Sequence, residues 1–294
     1  MEHRDAAACL AAASEVMTGR GTRCDDGALL GVGVDLGTAN LVITVVDSEG
    51  WPVAGTTRAA SVVRDGLVVD YIGAVDLLRE MKAEVEDSLG RSLGCAATAY
   101  PPGVAPEEVR ATVNVLQAAG FECSGVIDEP SAAGAALGVT DGVVVDVGGG
   151  TTGVSVLRDG EVCYAADEPT GGHHLTLVIA GALGISYEEA EDLKKDPAQS
   201  TRLLPVVRPV MEKVGTIVRR HVADLSSGTV FLAGGTCCFP GIDGVVAGIT
   251  GLDVELPGHP LFVTPLGIAL RDLEVQTRKV AHMTASAIGG DHGV

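Results

Sequence analysis

The chain has 294 residues, 46% of them hydrophobic, and a mean hydropathy of +0.32, so it can bury one large core or two smaller ones. Its formal net charge of -19 argues against nonspecific binding to nucleic acids or anionic membranes, because each phosphate contact needs a cation at the interface. No apolar run approaches the roughly 18 residues needed to cross a bilayer, and the first residues lack the order of a signal peptide, which predicts a cytosolic protein. With 3% aromatic residues and 40 glycines, the composition suits an α/β protein better than a base-stacking RNA binder.

The first 28 residues differ in composition from the rest of the chain. Residues 3–17 are rich in alanine and predict a helix, and residues 18–27 are rich in glycine and polar side chains. We interpret residues 1–28 as a leader helix and linker that lie on the surface. A helix that docks onto a partner is the alternative.

An internal duplication follows this leader. Residues 33–38 lead into an apolar strand, a turn and a further strand, and roughly 110 residues later residues 144–151 open the same succession. In both copies an aspartate at the end of a strand, Asp35 or Asp146, is followed by glycine and threonine. Glycine lets backbone N–H groups approach a phosphate closely, and aspartate can hold a hydrated magnesium ion. Two such loops facing each other would grip one polyphosphate from both sides.

The other elements alternate between helix and strand, which predicts α/β layers. Between the two copies the pattern predicts a helix over 74–89, a strand over 96–100 and a helix that begins near Pro106. After the second copy it predicts a helix through Ala180, helices over 186–195 and from about 209 to 223, a strand over 229–233 and a last helix near Pro265. The change of domain is expected between residues 128 and 142.

Five motifs, in this order along the chain, resemble those of the heat-shock-70 and actin-like ATPases. They are a first phosphate motif at 33–40, a connecting helix at 126–133, a second phosphate motif at 146–152, an adenosine motif at 231–236 and a second connecting helix at 265–269. The resemblance covers nearly everything from Gly31 to Leu270. It implies an α/β fold with two duplicated, ribonuclease H-like domains and a nucleotide cleft between them. The domains would span 29–138 and 139–264, and residues 265–294 would form a helix that returns to the first domain, and a tail.

Within that superfamily the chain resembles the EutJ family, chaperone-like ethanolamine-utilisation proteins associated with bacterial microcompartments. The shared features are the short length, the leader before the first motif, the Thr151-Thr152-Gly153 ending and the runs at 71–75 and 209–214. This resemblance implies an ATP-binding chaperone-like protein that acts on a microcompartment enzyme or shell protein. It also implies a cytoplasmic protein that can associate with a microcompartment, without a nucleic-acid partner.

The resemblance implies ATP or ADP with magnesium as cofactors and gives roles to individual residues. Asp35 and Asp146 would bind magnesium largely through water, and Glu129 would orient the attacking water, which makes these three the expected catalytic residues. Contacts to the nucleotide would come from Gly37, Thr38, Ala39, Asn40, Gly148, Gly149, Gly150, Thr151, Thr152, Glu191, Lys194, Gly234, Gly235 and Thr236. Glu191 and Lys194 also lie three residues apart on a predicted helix, where a solvated ion pair is the alternative.

Departures from the heat-shock-70 pattern predict slow hydrolysis. The sequence offers no counterpart of the lysine that reaches the γ-phosphate in those proteins, and Gly153 stands where they carry an aspartate. Between Asp35 and Glu129 there is little room for their extra first-domain lobe, and no substrate-binding domain follows. Three alternatives to the chaperone-like function stay open: an actin-like filament former, an ATPase that reactivates another enzyme and a small-molecule kinase. The adjacent His173 and His174 are not expected to bind a metal, because neighbouring side chains diverge.

Overall fold

The structure is a computed structural model that describes residues 5–17, 21–22, 24–25, 27–64, 67–223 and 228–289. Much of the expected linker at 18–27, and the end of the expected tail at 290–294, lie outside the described residues. Across the described part of the chain, no helix combines the length and the apolar character that crossing a bilayer requires.

The first half of the chain folds around one five-stranded sheet. Its elements in chain order are α1 (Ala6–Val16), β1 (Gly31–Leu36), β2 (Asn40–Val46), β3 (Pro52–Ala59), β4 (Val63–Arg64), β5 (Leu67–Val68), α2 (Tyr71–Leu89), β6 (Cys95–Tyr100), α3 (Pro106–Ala118), β7 (Glu122–Asp128) and α4 (Glu129–Leu137). The strand order is β3-β2-β1-β6-β7, while β4 and β5 pair with each other. The first three strands are antiparallel neighbours, and β1, β6 and β7 are parallel.

The second half repeats this plan. Its elements are β8 (Gly142–Val147), β9 (Thr152–Arg158), β10 (Glu161–Glu168), α5 (Gly172–Leu183), α6 (Tyr187–Lys195), α7 (Ser200–His221), β11 (Thr229–Ala233), α8 (Ile242–Thr250), β12 (Asp253–Glu255) and α9 (Val263–Gly289). The sheet order is β10-β9-β8-β11-β12, again with three antiparallel strands followed by parallel ones. The duplication seen in the sequence is therefore confirmed. The domain boundaries expected after residues 28, 138 and 264 stay predictions.

Helix α7 begins earlier than the sequence predicts. The expected start was near Pro209, but the helix begins at Ser200 and contains both Pro205 and Pro209. Each internal proline removes a helical hydrogen bond and costs about 3 kcal/mol. The buried residues Leu203 and Val207 lie in the same apolar core as the later turns of the helix. Their burial offsets the cost of the prolines, which a reading of local propensity alone cannot anticipate.

Helix α1 is not the surface helix that its composition predicts. Cys9, Leu10 and Ala13 are fully buried in a cluster that also contains residues of β2, α4, β8 and α9. The carboxylate of Asp5 accepts hydrogen bonds from the N–H groups of Ala7 at 3.0 Å and Ala8 at 3.2 Å, and so caps the helix. The expectation of an unanchored leader is wrong for residues 6–16, because their apolar face has a partner more than 200 positions away in sequence.

Helix α9 lies directly against the backbone of β1. A Cβ atom added to Gly33 would come within 2.5 Å of the Ala269 nitrogen, and one added to Gly31 would collide with the Ala269 carbonyl. On the other side of the helix, a Cβ atom at Gly267 would collide with the Ala132 carbonyl of α4. Glycine at these positions is therefore a requirement of close packing between helix and strand.

A buried carboxylate joins α9 to two strands of the first sheet. One oxygen of Asp272 accepts a hydrogen bond from the Val32 N–H of β1 at 2.7 Å, and the other accepts the hydroxyl of Ser124 in β7. Asp272 is 1% exposed, and burial raises the pKa of its carboxyl group. This side chain fixes the rotation of α9 about its own axis.

Candidate functional site

A cavity of about 1160 Å³ lies between the two halves of the molecule. It brings together, from both halves, all but one of the residues expected in the site. These are Asp35, Gly37, Thr38, Ala39, Asn40, Glu129, Asp146, Gly148, Gly149, Gly150, Thr151, Glu191, Lys194, Gly234, Gly235 and Thr236. The exception is Thr152, which is fully buried and donates its hydroxyl to the Thr170 carbonyl at 2.6 Å. Its side chain therefore does not reach the cavity wall.

The two glycine loops of the duplication touch each other across this cavity. A Cβ atom added to Gly149 of the second loop would lie 2.8 Å from the Cβ of Ala39 in the first loop. The second loop is closed by a hydrogen bond from the Gly148 N–H to the Thr151 carbonyl at 2.9 Å. Its carbonyl groups are also engaged, since Gly149 accepts the His173 N–H at 2.8 Å. The two loops thus form one continuous surface. At its glycines no side chain covers the backbone, which a ligand can approach closely.

Three carboxylates from different elements face this surface. Asp35 lies near the end of β1, Asp146 near the end of β8 and Glu129 at the start of α4. The Thr264 hydroxyl at the start of α9 donates to Asp146 at 2.6 Å. Each aspartate lies near the end of the central strand of its own sheet, and both line the same cavity.

The electrostatics of these carboxylates are unfavourable without a cation. Burial, and then the charge of Asp146, raise the pKa of Asp35 to about 7. Burial and the charges of Asp146 and Asp35 raise the pKa of Glu129 well above its usual range. Burial also raises the pKa of Asp146, against the hydrogen bond from Thr264. A positive charge placed among the three would therefore be stabilised.

The chemistry of this group fits magnesium held through water. Carboxylate oxygens are ligands that Mg²⁺ prefers, and Mg²⁺ usually keeps several of its waters. Among the residues that the structure describes, no group of three acids, histidines or cysteines has the spacing to hold a metal ion directly. Asp35 and Asp146 remain the residues predicted to hold such an ion through water.

Glu191 and Lys194 form a part-buried network, not a solvated ion pair. The Lys194 ammonium lies 2.6 Å from Glu191, donates to the Thr176 hydroxyl at 2.8 Å and to the Gly172 carbonyl at 3.2 Å. The two side chains are 15% and 20% exposed. Burial lowers the pKa of Lys194, whereas the hydrogen bonds from Lys194 and Thr176 outweigh burial and hold the pKa of Glu191 below its usual range. Both side chains are held in place at the cavity wall before any ligand binds.

The segment 234–236 packs against the second loop. Gly234 has φ of 92°, and a Cβ atom there would collide with the carboxylate of Asp146. The Thr236 hydroxyl donates to the Gly148 carbonyl at 2.7 Å. These contacts tie the expected adenosine motif to the expected phosphate motif, so both are parts of one rigid wall.

The structure adds residues that sequence reasoning missed. Thr264 precedes a recognised motif by one residue but carries no signal of its own. Asp167 of β10 lies across from Gly153, with an oxygen 3.6 Å from where a Cβ of Gly153 would be, and its charge helps to raise the pKa of Glu129. A carboxylate is therefore present near the position where Gly153 lacks one. Arg64, His173 and Tyr187 also line the cavity.

Comparisons with known proteins agree with this architecture. Residues 51–196 match the family model for MreB/Mbl protein, and residues 143–286 match that for cell division protein FtsA. Ethanolamine utilization protein EutJ of Salmonella typhimurium is 46% identical over 241 residues, which cover 82% of this chain and 85% of that protein. The Escherichia coli K12 protein of the same name matches to the same extent.

Solved structures give the same result. The crystal structure of EutJ from Carboxydothermus hydrogenoformans superposes with a TM-score of 0.86 at 46% identity, over 90% of this chain and 98% of that one. MreB5 of Spiroplasma citri, bound to AMPPNP, superposes with a TM-score of 0.70 at 17% identity, over 86% and 98%. At that identity the likeness shows the fold alone. The two-domain actin-like ATPase fold expected from the sequence is therefore confirmed.

Proposed function

Because this chain belongs to the EutJ family of ethanolamine utilization proteins, we propose that it binds ATP or ADP with magnesium in the cavity between its halves. The bound nucleotide would switch a chaperone-like protein that assists a microcompartment enzyme or shell protein. The observation that carries nucleotide binding is the contact between the two glycine loops, directly above three clustered carboxylates. MreB5 of Spiroplasma citri has the same fold and has been solved with AMPPNP and with ADP, which supports the proposal.

The two ends of the nucleotide would meet different parts of the cavity. The glycine loops present backbone N–H groups to the phosphates, as phosphate-binding loops do. When bound, magnesium would supply positive charge that offsets the charge of the phosphates. Asp35 and Asp146 would hold the hydration shell. Glu191 and Lys194, already fixed by Thr176, would face the nucleoside.

We expect ATP turnover to be slow, well below the median enzyme rate of about 10 per second. Hydrolysis needs a group that accepts a hydrogen bond from the attacking water and cations that meet charge developing on the γ-phosphate. Burial and the charges of Asp146 and Asp35 raise the pKa of Glu129, which disfavours the ionised carboxylate that accepts a hydrogen bond from water. Single-turnover measurement with radiolabelled ATP checks this; rapid turnover that Glu129→Gln leaves unchanged would contradict it.

Calorimetric titration tests nucleotide binding itself. The intact protein should bind ATP and ADP in the presence of magnesium, and Asp35→Ala and Asp146→Ala should each weaken magnesium-dependent binding about tenfold or more, the loss of one charge-assisted contact. Asp76→Ala is the matched control, because Asp76 is exposed and distant from the cavity wall. Circular dichroism should be unchanged in all variants. Full magnesium-dependent affinity in both cavity variants would remove these roles.

The chaperone-like part needs a separate experiment. Purified ethanolamine-utilisation enzymes and shell proteins would be mixed with this protein, with ATP, with ADP or without nucleotide, and their complexes measured by light scattering. We expect complex formation to depend on the nucleotide, since closing the cavity changes the outer surface of both halves. Sedimentation of the protein alone with ATP would instead indicate filaments. Equal association in all three states would contradict a nucleotide switch.

A further inference from the structure

The charged side chains that line the cavity differ in whether they form ion pairs. Four carboxylates face it, those of Asp35, Glu129, Asp146 and Glu191. Within the described part of the chain, lysine and arginine contribute three cations: Arg64, Lys194 and Lys195. Lys194 and Lys195 both pair with Glu191, at 2.6 and 3.1 Å. Of the three, Arg64 alone forms no ion pair with a described residue.

The backbone that carries Arg64 is firmly placed although its side chain is exposed. Val63, its neighbour, is 4% exposed and belongs to the core of the first half. The N–H groups of Val69 and Asp70 both donate to the Val62 carbonyl, at 2.9 and 3.1 Å. The same segment is tied to the first glycine loop, because the Ala60 N–H donates to the Ala39 carbonyl at 3.1 Å. The segment that carries Arg64 is thus anchored to the core of the first half and, through Ala60, to the first glycine loop.

We propose that Arg64 contacts the terminal phosphate of the bound nucleotide. The inference rests on the proposed function and assigns a residue to its phosphate end. The wall that would hold the nucleoside is built by the second half, from Glu191, Lys194 and Gly234. Arg64 lines the same cavity from the first half, on a segment that is hydrogen-bonded to the first glycine loop, and so lies on the half opposite that wall. Arginine suits this position, since its planar guanidinium can donate two parallel hydrogen bonds to phosphate oxygens.

The argument from charge is independent of any sequence motif. A triphosphate brings about four negative charges into a cavity whose acids already repel one another. Hydrated magnesium offsets two of them. Glu191 offsets one of the two positive charges of Lys194 and Lys195, and its contacts hold both ammonium groups at the wall proposed for the nucleoside. Arg64 is therefore the lysine or arginine of this lining that no described carboxylate holds away from the phosphates.

Titration calorimetry with ATP, ADP and adenosine, each with magnesium, tests the assignment. Arg64→Ala should weaken ATP binding about 10- to 100-fold, the loss of a charged hydrogen bond, and should weaken ADP binding much less. Adenosine affinity should not change. Arg64→Lys should restore part of the ATP affinity but not all of it. The control is Arg58→Ala, because Arg58 lies on the adjoining strand β3, pairs with Glu84 and does not line the cavity.

The outcomes separate this inference from the function on which it rests. If the intact protein binds ATP and Arg64→Ala binds it within twofold of the same affinity, Arg64 has no phosphate role. Equal weakening of ATP and adenosine would show that Arg64 only supports the shape of the cavity, and would also overturn the assignment. If the intact protein binds no nucleotide, the proposed function fails and the inference fails with it.

Discussion

The two central strands, β1 and β8, occupy equivalent places in the duplicated halves but are covered in different ways. Aligned on Asp35 and Asp146, Gly33 of β1 corresponds to Val144 of β8. At Gly33 the backbone of α9 lies against the strand with no side chain between them. At Val144 a fully buried side chain packs in the cluster shared with α1, α4 and α9. Both halves keep the aspartate and the pairing of the central strand. They differ in how that strand is covered: β1 contacts helix backbone at Gly33, whereas β8 contacts other side chains through Val144.

A substitution that makes β1 resemble β8 should lower the free energy of unfolding more than any other change considered. Gly33→Val would place a branched side chain where a Cβ already comes within 2.5 Å of the Ala269 nitrogen, and helical backbone cannot yield locally. We expect a loss of about 4 kcal/mol or more in the free energy of unfolding, measured by urea denaturation. Gly125→Val in β7 is the control, since no atom lies within 4 Å of its added Cβ. Equal effects from both substitutions would mean that the contact with α9 is not the cause.

Shortening the side chain of Leu10 tests the packed side of the comparison. Leu10 is fully buried in the same cluster as Val144, so Leu10→Ala removes apolar contacts and leaves a cavity. We expect a loss of about 3 kcal/mol in the free energy of unfolding. Leu67→Ala, at a leucine 42% exposed, should cost much less. A loss below about 1 kcal/mol for Leu10→Ala would show that α1 is a dispensable leader after all.

The substitution Asp272→Ala measures how much the Asp272 side chain stabilises the contact between α9 and β1. The change leaves the buried Val32 N–H without its acceptor, which costs about 2 kcal/mol. Thermal unfolding followed by circular dichroism measures it. Asp76→Ala, which removes an exposed ion pair, should change stability by under about 1 kcal/mol. If the two variants unfold alike, glycine contacts alone hold the helix.

Val144→Ala should have the smallest effect of the four. It removes two methyl groups from the shared cluster, worth about 1.5 kcal/mol at 0.8 kcal/mol per buried group. Val280→Ala, at a valine 52% exposed, is the control for the same substitution. A cost as large as that of Gly33→Val would contradict the distinction between the two strands.

Much of the site could be predicted because its chemistry is local in sequence. Asp35 and Asp146 each lie near the end of a strand, two residues before a glycine, and the duplication itself indicates that they meet. Thr152 shows the limit of this reasoning. It follows Thr151 directly, but it begins β9 and its buried hydroxyl is bound to the Thr170 carbonyl, whereas Thr151 in the loop lines the cavity. Arg64 gave no signal because it lies on a two-residue strand, too short for any periodicity.

The fold was predicted well where pattern and packing agree. Each half opens with the expected succession of three strands, and α2, for instance, ends before Gly90 as expected. The burial of α1 could not be read from the sequence, because an alanine-rich helix shows little amphipathic contrast and its partners are scattered along the chain from β2 to α9. Sequence patterns report a residue's neighbours along the chain, whereas burial depends on neighbours in space.

The hydrogen bond between Val32 and Asp272 joins residues 240 positions apart. During synthesis it can form only after the ribosome has added Asp272. At roughly 5 to 20 residues per second, a ribosome needs on the order of 10 to 50 s to make Asp272 after Val32 has been added. Throughout that interval β1 lacks the helix that covers it, and α1 lacks the part of its cluster that α9 supplies. Apolar surface that is buried in the native protein is therefore exposed on the nascent first half, which favours aggregation. A protein proposed to assist others would itself depend, for most of its synthesis, on protection of its exposed apolar surface.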